Sequence, residues 1–158
     1  FKVTSDEFFD GLKNGKYLSK ETKFDLIFID GLHSANQVKR DIDNSIEYLA
    51  EGGFVLLHDC NHPTEYHARE DYSYELSPAK IYWNGTTWKA FVDFRKRTDY
   101  NSCCIDTDWS IGVIHKSIDF GDSNNITNPY YEYKVFEANR KECLNLISYS
   151  EFKFFLES

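Results

Sequence analysis

Two apolar runs joined by an amphipathic segment constrain this chain more than any other feature of its sequence. The first, Phe24-Asp25-Leu26-Ile27-Phe28-Ile29-Asp30, is apolar almost throughout and does not alternate. That pattern predicts a strand buried on both faces, as in a parallel sheet. The second, Phe54-Val55-Leu56-Leu57, has the same character and stops at His58-Asp59. Between them Val38, Ile42, Ile46 and Leu49 recur at helical spacing, which predicts a helix over about 35–50 ended by Gly52-Gly53. Strand, helix and strand within about 35 residues make a βαβ unit, with a right-handed crossover expected.

Both strands run into ionisable residues: Asp30 with His33 after the first, His58 with Asp59 at the second. Open α/β sheets bind ligands outside the carboxyl ends of their strands, so these groups fall where chemistry is expected. A carboxylate at the end of a buried strand needs a partner or a ligand. Asp30 and Asp59, on adjacent strand ends, could share a hard cation such as Mg²⁺, which takes oxygen ligands. His33 can take a proton from a hydroxyl near neutral pH. His58 reads as structural, His62 and His67 as solvated loop residues, and His115 as a structural residue at a strand end.

The rest of the chain fits around this unit. Residues 1–4 read as a strand end, and Ser5 as the cap of a helix from Asp6 whose first turn carries Asp6 and Glu7. Residues 61–83 form a polar and aromatic loop too long for a plain connector, the kind that often covers a site. A helix is expected over 86–97, and two antiparallel strands over 102–105 and 111–115. Asp106 and Asp108, beside Trp109, read as turn residues. Residues 121–129 read as a loop and the remainder, from Tyr130, as helical. Trp83 and Trp88 flank the loop-to-helix step and read as core residues more than as a sugar platform.

A chain of 158 residues suits one domain, 1–158. The net charge is -8 and the basic residues form no long run, which argues against nucleic acid or an anionic membrane as partner. No apolar run approaches the roughly 20 residues of a membrane-spanning helix. The four cysteines form no CxxC pair, the pattern of free thiols in a reducing, cytoplasmic setting. The sequence starts at Phe1 and contains no Met, so upstream residues are expected in the natural protein.

Three stretches carry a family likeness: Thr4-Ser5-Asp6-Glu7-Phe8-Phe9, the run from Phe24 to His33, and Gly52-Gly53 through Asp59. Together with Trp88-Lys89-Ala90-Phe91 and Asp106 through Gly112, they resemble the later motifs of class I S-adenosylmethionine-dependent methyltransferases. The likeness is to a small bacterial branch of sugar and O-methyltransferases. It implies a Rossmann-like doubly wound α/β sheet, mostly parallel with an antiparallel last strand. The N-terminal strands and their Gly-rich cofactor loop would be missing, roughly 50–60 residues for two βα units. It also implies S-adenosylmethionine as cofactor, with Ser5 and Asp6 near the adenine, Asp30 facing the methyl-transfer site and Gly31 among the cofactor-binding residues. His33 would be the base, with Asp30 and Asp59 beside it, and in metal-dependent members these two carboxylates bind the cation. The acceptor implied is a saccharide or another small hydroxylated molecule. A non-catalytic α/β binding module and a metal-dependent hydrolase stay open as other readings, as does self-association into a homo-oligomer.

Overall fold

The computed structural model describes residues 1–73, 76–121 and 123–157. Residues 74 and 75, in the expected long loop, and 122, in the expected 121–129 loop, lie outside the described residues. In chain order the elements are α1 (Ser5–Lys13), β1 (Phe24–Ile29), α2 (Ala35–Tyr48), β2 (Leu49–Leu57), α3 (Thr87–Phe94), β3 (Asn101–Ile105), β4 (Ile111–His115), α4 (Tyr133–Ala138), α5 (Arg140–Leu144), β5 (Leu146–Ile147) and α6 (Tyr149–Glu157).

The strands form one sheet in the order β1-β2-β4-β3-β5. β1 pairs with β2 and β3 with β5 in parallel, while β4 pairs with β2 and β3 antiparallel. Among the described strands four therefore share one direction and β4 reverses it, which is the mostly parallel sheet the resemblance implies; the reversed strand is the fourth in chain order and not the last, because β5 follows it and pairs in parallel with β3. β5 is a short addition at the far edge, within a stretch that reads as helical from sequence.

The sheet is covered on both faces because β2 alternates. Val55 and Leu57 join the larger core with Val38 and Ile42 of α2, Trp88 and Phe91 of α3, Phe136 of α4 and Leu144 of α5. Phe54 and Leu56 turn the other way, toward Cys103, Val113 and Phe120, where Phe152 and Phe155 of α6 close the layer. The neighbours Cys103 and Cys104 go to opposite faces, as expected of adjacent strand residues. All four cysteines are free and buried. Burial pushes the thiols of Cys103, Cys104 and Cys143 up, so they pack as small apolar groups.

Five expectations are corrected. Residues 1–4 form no strand, and the cap of α1 is Thr4, not Ser5: Thr4 and Glu7 make a reciprocal capping box. α2 ends at Tyr48, and β2 begins at Leu49, ahead of the glycine pair. β1 is not buried on both faces, since Leu26 and Phe28 are 59% and 54% exposed. The reason is position: among the described strands β1 is the sheet edge, paired with β2 alone, and its Ile27 and Ile29 side reaches the core. His62 is fully buried instead of solvated, packed among the rings of Trp88, Tyr133 and Phe136.

Candidate active site

The carboxyl ends of β1 and β2 bring Asp30, His33, His58 and Asp59 together. Asp30 is the first residue beyond β1, and His33 folds back over it from the turn into α2. His33 Nε2 lies 3.3 Å from Asp30 Oδ1 and its Nδ1 lies 3.0 Å from Asp59 Oδ2. The second contact is close but off the direction of a hydrogen bond, so Nδ1 is a buried atom without a hydrogen-bond partner. His58 Nδ1 stands 3.5 Å from Asp30 Oδ1 and 3.4 Å from Asp59 Oδ1. Four groups that the sequence places in pairs therefore form one cluster.

Asp59 sits at φ 63, in the left-handed region, a conformation that costs a non-glycine residue about 1 kcal/mol or more. This twist at the strand end turns its side chain inward, where it is 4% exposed. Burial raises the Asp59 carboxyl above its ordinary value, while His33, His58 and the Asn84 hydrogen bond act against that rise. Burial also pulls His58 down, but the Asp108 hydrogen bond and the charges of Asp59 and Asp30 outweigh it, and the net shift is upward.

Two contributors come from elsewhere in the chain. Asp108, expected to be a turn residue only, takes φ 48 in the β3–β4 turn and approaches His58 Nε2 at 3.1 Å. Asn84 is fully buried and donates through Nδ2 to Asp59 Oδ1 at 2.6 Å. Trp83, read from sequence as a core residue, is half-buried and stacks on the His33 ring at 5.4 Å between centroids and 20° between planes. Among the described residues of the 61–83 loop, it is Trp83 that reaches the cluster, through this stack. Trp88 is a core residue, 1% exposed. His115 is structural, its Nδ1 accepting from the backbone N–H groups of Ser117 and Ile118 at 3.1 and 2.8 Å. His67 is paired through Nδ1 with the Thr64 hydroxyl at 2.9 Å.

Beside the cluster opens a cleft of about 680 Å³ between α1, the free edge of β1 and α2. Ser5, Asp6, Asp30 and Gly31 all line it. Gln37 Nε2, on α2, reaches Ser5 Oγ at 3.2 Å, Asp6 Oδ1 at 3.0 Å and Asp41 Oδ1 at 3.0 Å. Deeper along the same wall the Ser45 hydroxyl is buried with no hydrogen-bond partner. Asp30 thus faces the cleft on one side and the histidines on the other.

An open α/β sheet with a cleft and an acid–base cluster at its strand ends defines a ligand-binding α/β domain. Residues 1–60 match the sequence model of a family described as a methyltransferase domain. This stretch contains Ser5, Asp6, Asp30, Gly31, His33, His58 and Asp59. A crystal structure of a protein from Corynebacterium glutamicum is similar at 15% identity and a TM-score of 0.46, over 70% of this chain. The chain covers 45% of the length of that protein. No curated protein matches the chain. Among the described residues, no helix is long and apolar enough to cross a membrane.

Proposed function

We propose that this domain serves methyl transfer from S-adenosylmethionine to a hydroxyl of a small acceptor, a saccharide or a related hydroxylated molecule. The observation that carries this reading is the position of Asp30. It lines the cleft together with Ser5, Asp6 and Gly31, and it is 3.3 Å from His33. A donor in the cleft and an acceptor at the cluster would meet across Asp30. The family match of residues 1–60 supports the same chemistry.

The cleft residues suit a nucleoside. Asp6 can accept from an exocyclic amine, and the Ser5 and Ser45 hydroxyls offer further polar contacts along one wall. When bound, S-adenosylmethionine supplies an activated methyl group. The chain's task is to align an acceptor oxygen with it, which is chiefly a proximity effect. Asp30 accepts a hydrogen bond from a neighbouring hydroxyl of the acceptor and so orients it. His33 takes the hydroxyl proton at Nε2, whose present contact with Asp30 is long, as is common before a site is filled. Asp59, beside Nδ1, stabilises the resulting imidazolium.

One observation favours a second arrangement, in which His33 is a ligand to a cation and not the base. Ligand atoms of Asp30, His33 and Asp59 all lie within 4.8 Å of one another. The sequence suggests the two carboxylates; the third donor is an imidazole nitrogen. Two carboxylates and an imidazole suit Mn²⁺, Fe²⁺ or Zn²⁺ better than Mg²⁺, which prefers oxygen. Such an ion would lower the pKa of the acceptor hydroxyl. The acidic surface and four buried thiols support a cytoplasmic setting.

The test is calorimetric titration of S-adenosylhomocysteine into the full-length protein, with EDTA, Mg²⁺ or Mn²⁺. Binding that weakens in Asp6→Ala supports the cofactor assignment, and a metal requirement lost in Asp30→Asn supports the cation. A folded full-length protein that binds no S-adenosylhomocysteine sinks the reading and leaves a binding module or a hydrolase.

A further inference from the structure

Four consecutive residues that no strand or helix contains, Trp83-Asn84-Gly85-Thr86, each make a separate contact with the cluster or its backbone. The Trp83 ring covers the His33 ring, and its Nε1 is tied to the Arg69 carbonyl at 2.9 Å. Asn84 donates to Asp59 at 2.6 Å, and its own backbone N–H is held by the His67 carbonyl at 3.0 Å. Gly85 lies so close to the chain at His33 that a Cβ built on it would stand 2.1 Å from the His33 carbonyl oxygen. Gly85 also has φ 64, where side chains are disfavoured. Thr86 donates from its backbone N–H to the His33 carbonyl at 2.7 Å, and its hydroxyl accepts from the Ala35 N–H at 2.8 Å.

These contacts fall on both sides of the cluster. Trp83, Gly85 and Thr86 fix the ring and backbone of His33, while Asn84 fixes Asp59. Each of the two fixed residues belongs to a different strand end, and this segment contacts both. Two buried atoms here, His33 Nδ1 and Asn84 Oδ1, have no hydrogen-bond partner. A segment serving only to fill the core would leave no such atoms, since buried polar groups are normally paired. Their retention fits a site held in a set geometry for an incoming polar group.

We propose that Trp83, Asn84 and Gly85 are positioning residues that set the angle of the His33 imidazole against the Asp59 carboxylate on the acceptor side of the site. The proposal rests on the methyl-transfer reading for what this geometry is used for, but not for whether the geometry is held this way.

The experiment uses full-length protein with its histidines ¹³C-labelled at Cε1, and His33 is assigned by its loss in His33→Gln. Trp83→Leu removes the ring-current shift of the His33 signal, and Trp83→Phe retains most of it. Asn84→Ala moves or broadens the His33 signal while the signals of His62 and His115 stay in place. Gly85→Ala does the same by pushing the segment away, and should it fail to fold, the half-exposed Trp83 carries the test. S-adenosylhomocysteine affinity stays within about threefold in the Trp83 and Asn84 variants, because the segment lies on the acceptor side. The proposal is overturned if His33 is unmoved in both Trp83→Leu and Asn84→Ala, or if His62 and His115 shift equally. A loss of S-adenosylhomocysteine affinity of about tenfold or more also overturns it. If the wild-type protein binds no S-adenosylhomocysteine, the methyl-transfer reading fails while the His33 signals still decide whether the segment holds the ring.

Discussion

The Asn84 carboxamide donates a 2.6 Å hydrogen bond to the buried Asp59 carboxylate, across 25 residues of chain. Hydrogen bonds to charged groups contribute about 1.5–3 kcal/mol, so Asn84→Ala should destabilise the fold by roughly that much near neutral pH. The bond also favours the ionised form of Asp59, whose carboxyl burial has already raised. Its loss raises that carboxyl further. The difference between wild type and Asn84→Ala should therefore shrink as pH falls through the Asp59 transition. Urea unfolding of both proteins across that range measures it; a difference that does not change with pH would show that Asp59 is not the group involved.

His58 predicts a pH dependence on the alkaline side. Its folded pKa is raised above the ordinary value of 6.5, with Asp108, Asp59 and Asp30 outweighing the opposing effect of burial. In the window above 6.5 the native state binds more protons than the unfolded chain, so stability falls as pH rises through the folded value. Asp108→Asn removes the hydrogen-bonded charge and should flatten this slope. Denaturation midpoints taken from pH 6 to 9 on both proteins give the comparison, and identical slopes would remove Asp108 from the account.

How much of this was legible in the sequence follows from how local each signal is. The βαβ unit could be read because Phe24–Ile29 and Val38, Ile42 and Ile46 carry their periodicity within a few residues. Asp30, His33, His58 and Asp59 could be placed because strand ends dictate where such groups collect. Asp108 and Asn84 could not, because their partners His58 and Asp59 lie 50 and 25 residues away and only the folded sheet brings them near. The Asn84-Gly85 pair did carry a turn signal, but a turn signal says nothing about what its side chain will meet. The burial of His62 was hidden likewise: it lies in a polar stretch, and its apolar neighbours Trp88, Tyr133 and Phe136 come from α3 and α4. The half-open state of β1 was misread because an apolar run reports hydrophobicity and not sheet position.

Gly112 predicts a packing limit under the site. It lies on β4, paired with Leu57 on one side and Cys104 on the other. A Cβ there would stand 2.8 Å from Cys60 Sγ and 2.9 Å from the Phe91 ring. Both neighbours are fully buried and cannot retreat. Gly112→Ala should cost about 1–3 kcal/mol, the usual range for overpacking a filled core. Thermal unfolding monitored by circular dichroism reads this directly. If Gly112→Ala is as stable as wild type, the strand-to-helix spacing is looser than described.

His62 predicts the acid side of the stability profile. Its ring is enclosed by Trp88, Tyr133 and Phe136, and neither of its nitrogens has a hydrogen-bond partner. Arg140 donates to the His62 carbonyl at 2.7 Å, which brings a cation near the ring. Burial, reinforced by Arg140, lowers the His62 pKa from 6.5 to about 3. Here the sign is opposite to that of His58. Between pH 6.5 and about 3 the unfolded chain binds a proton that the native state refuses. Stability is thus full above 6.5 and declines as pH falls through that window. His62→Phe keeps the ring packing and removes the titrating group. It should leave stability near pH 7 unchanged or slightly raised, because no hydrogen bond is lost, and it should make the decline between pH 6.5 and 4 shallower. Guanidinium unfolding at half-unit pH steps separates the outcomes. A decline as steep in His62→Phe as in wild type would assign the acid sensitivity to the carboxylates instead.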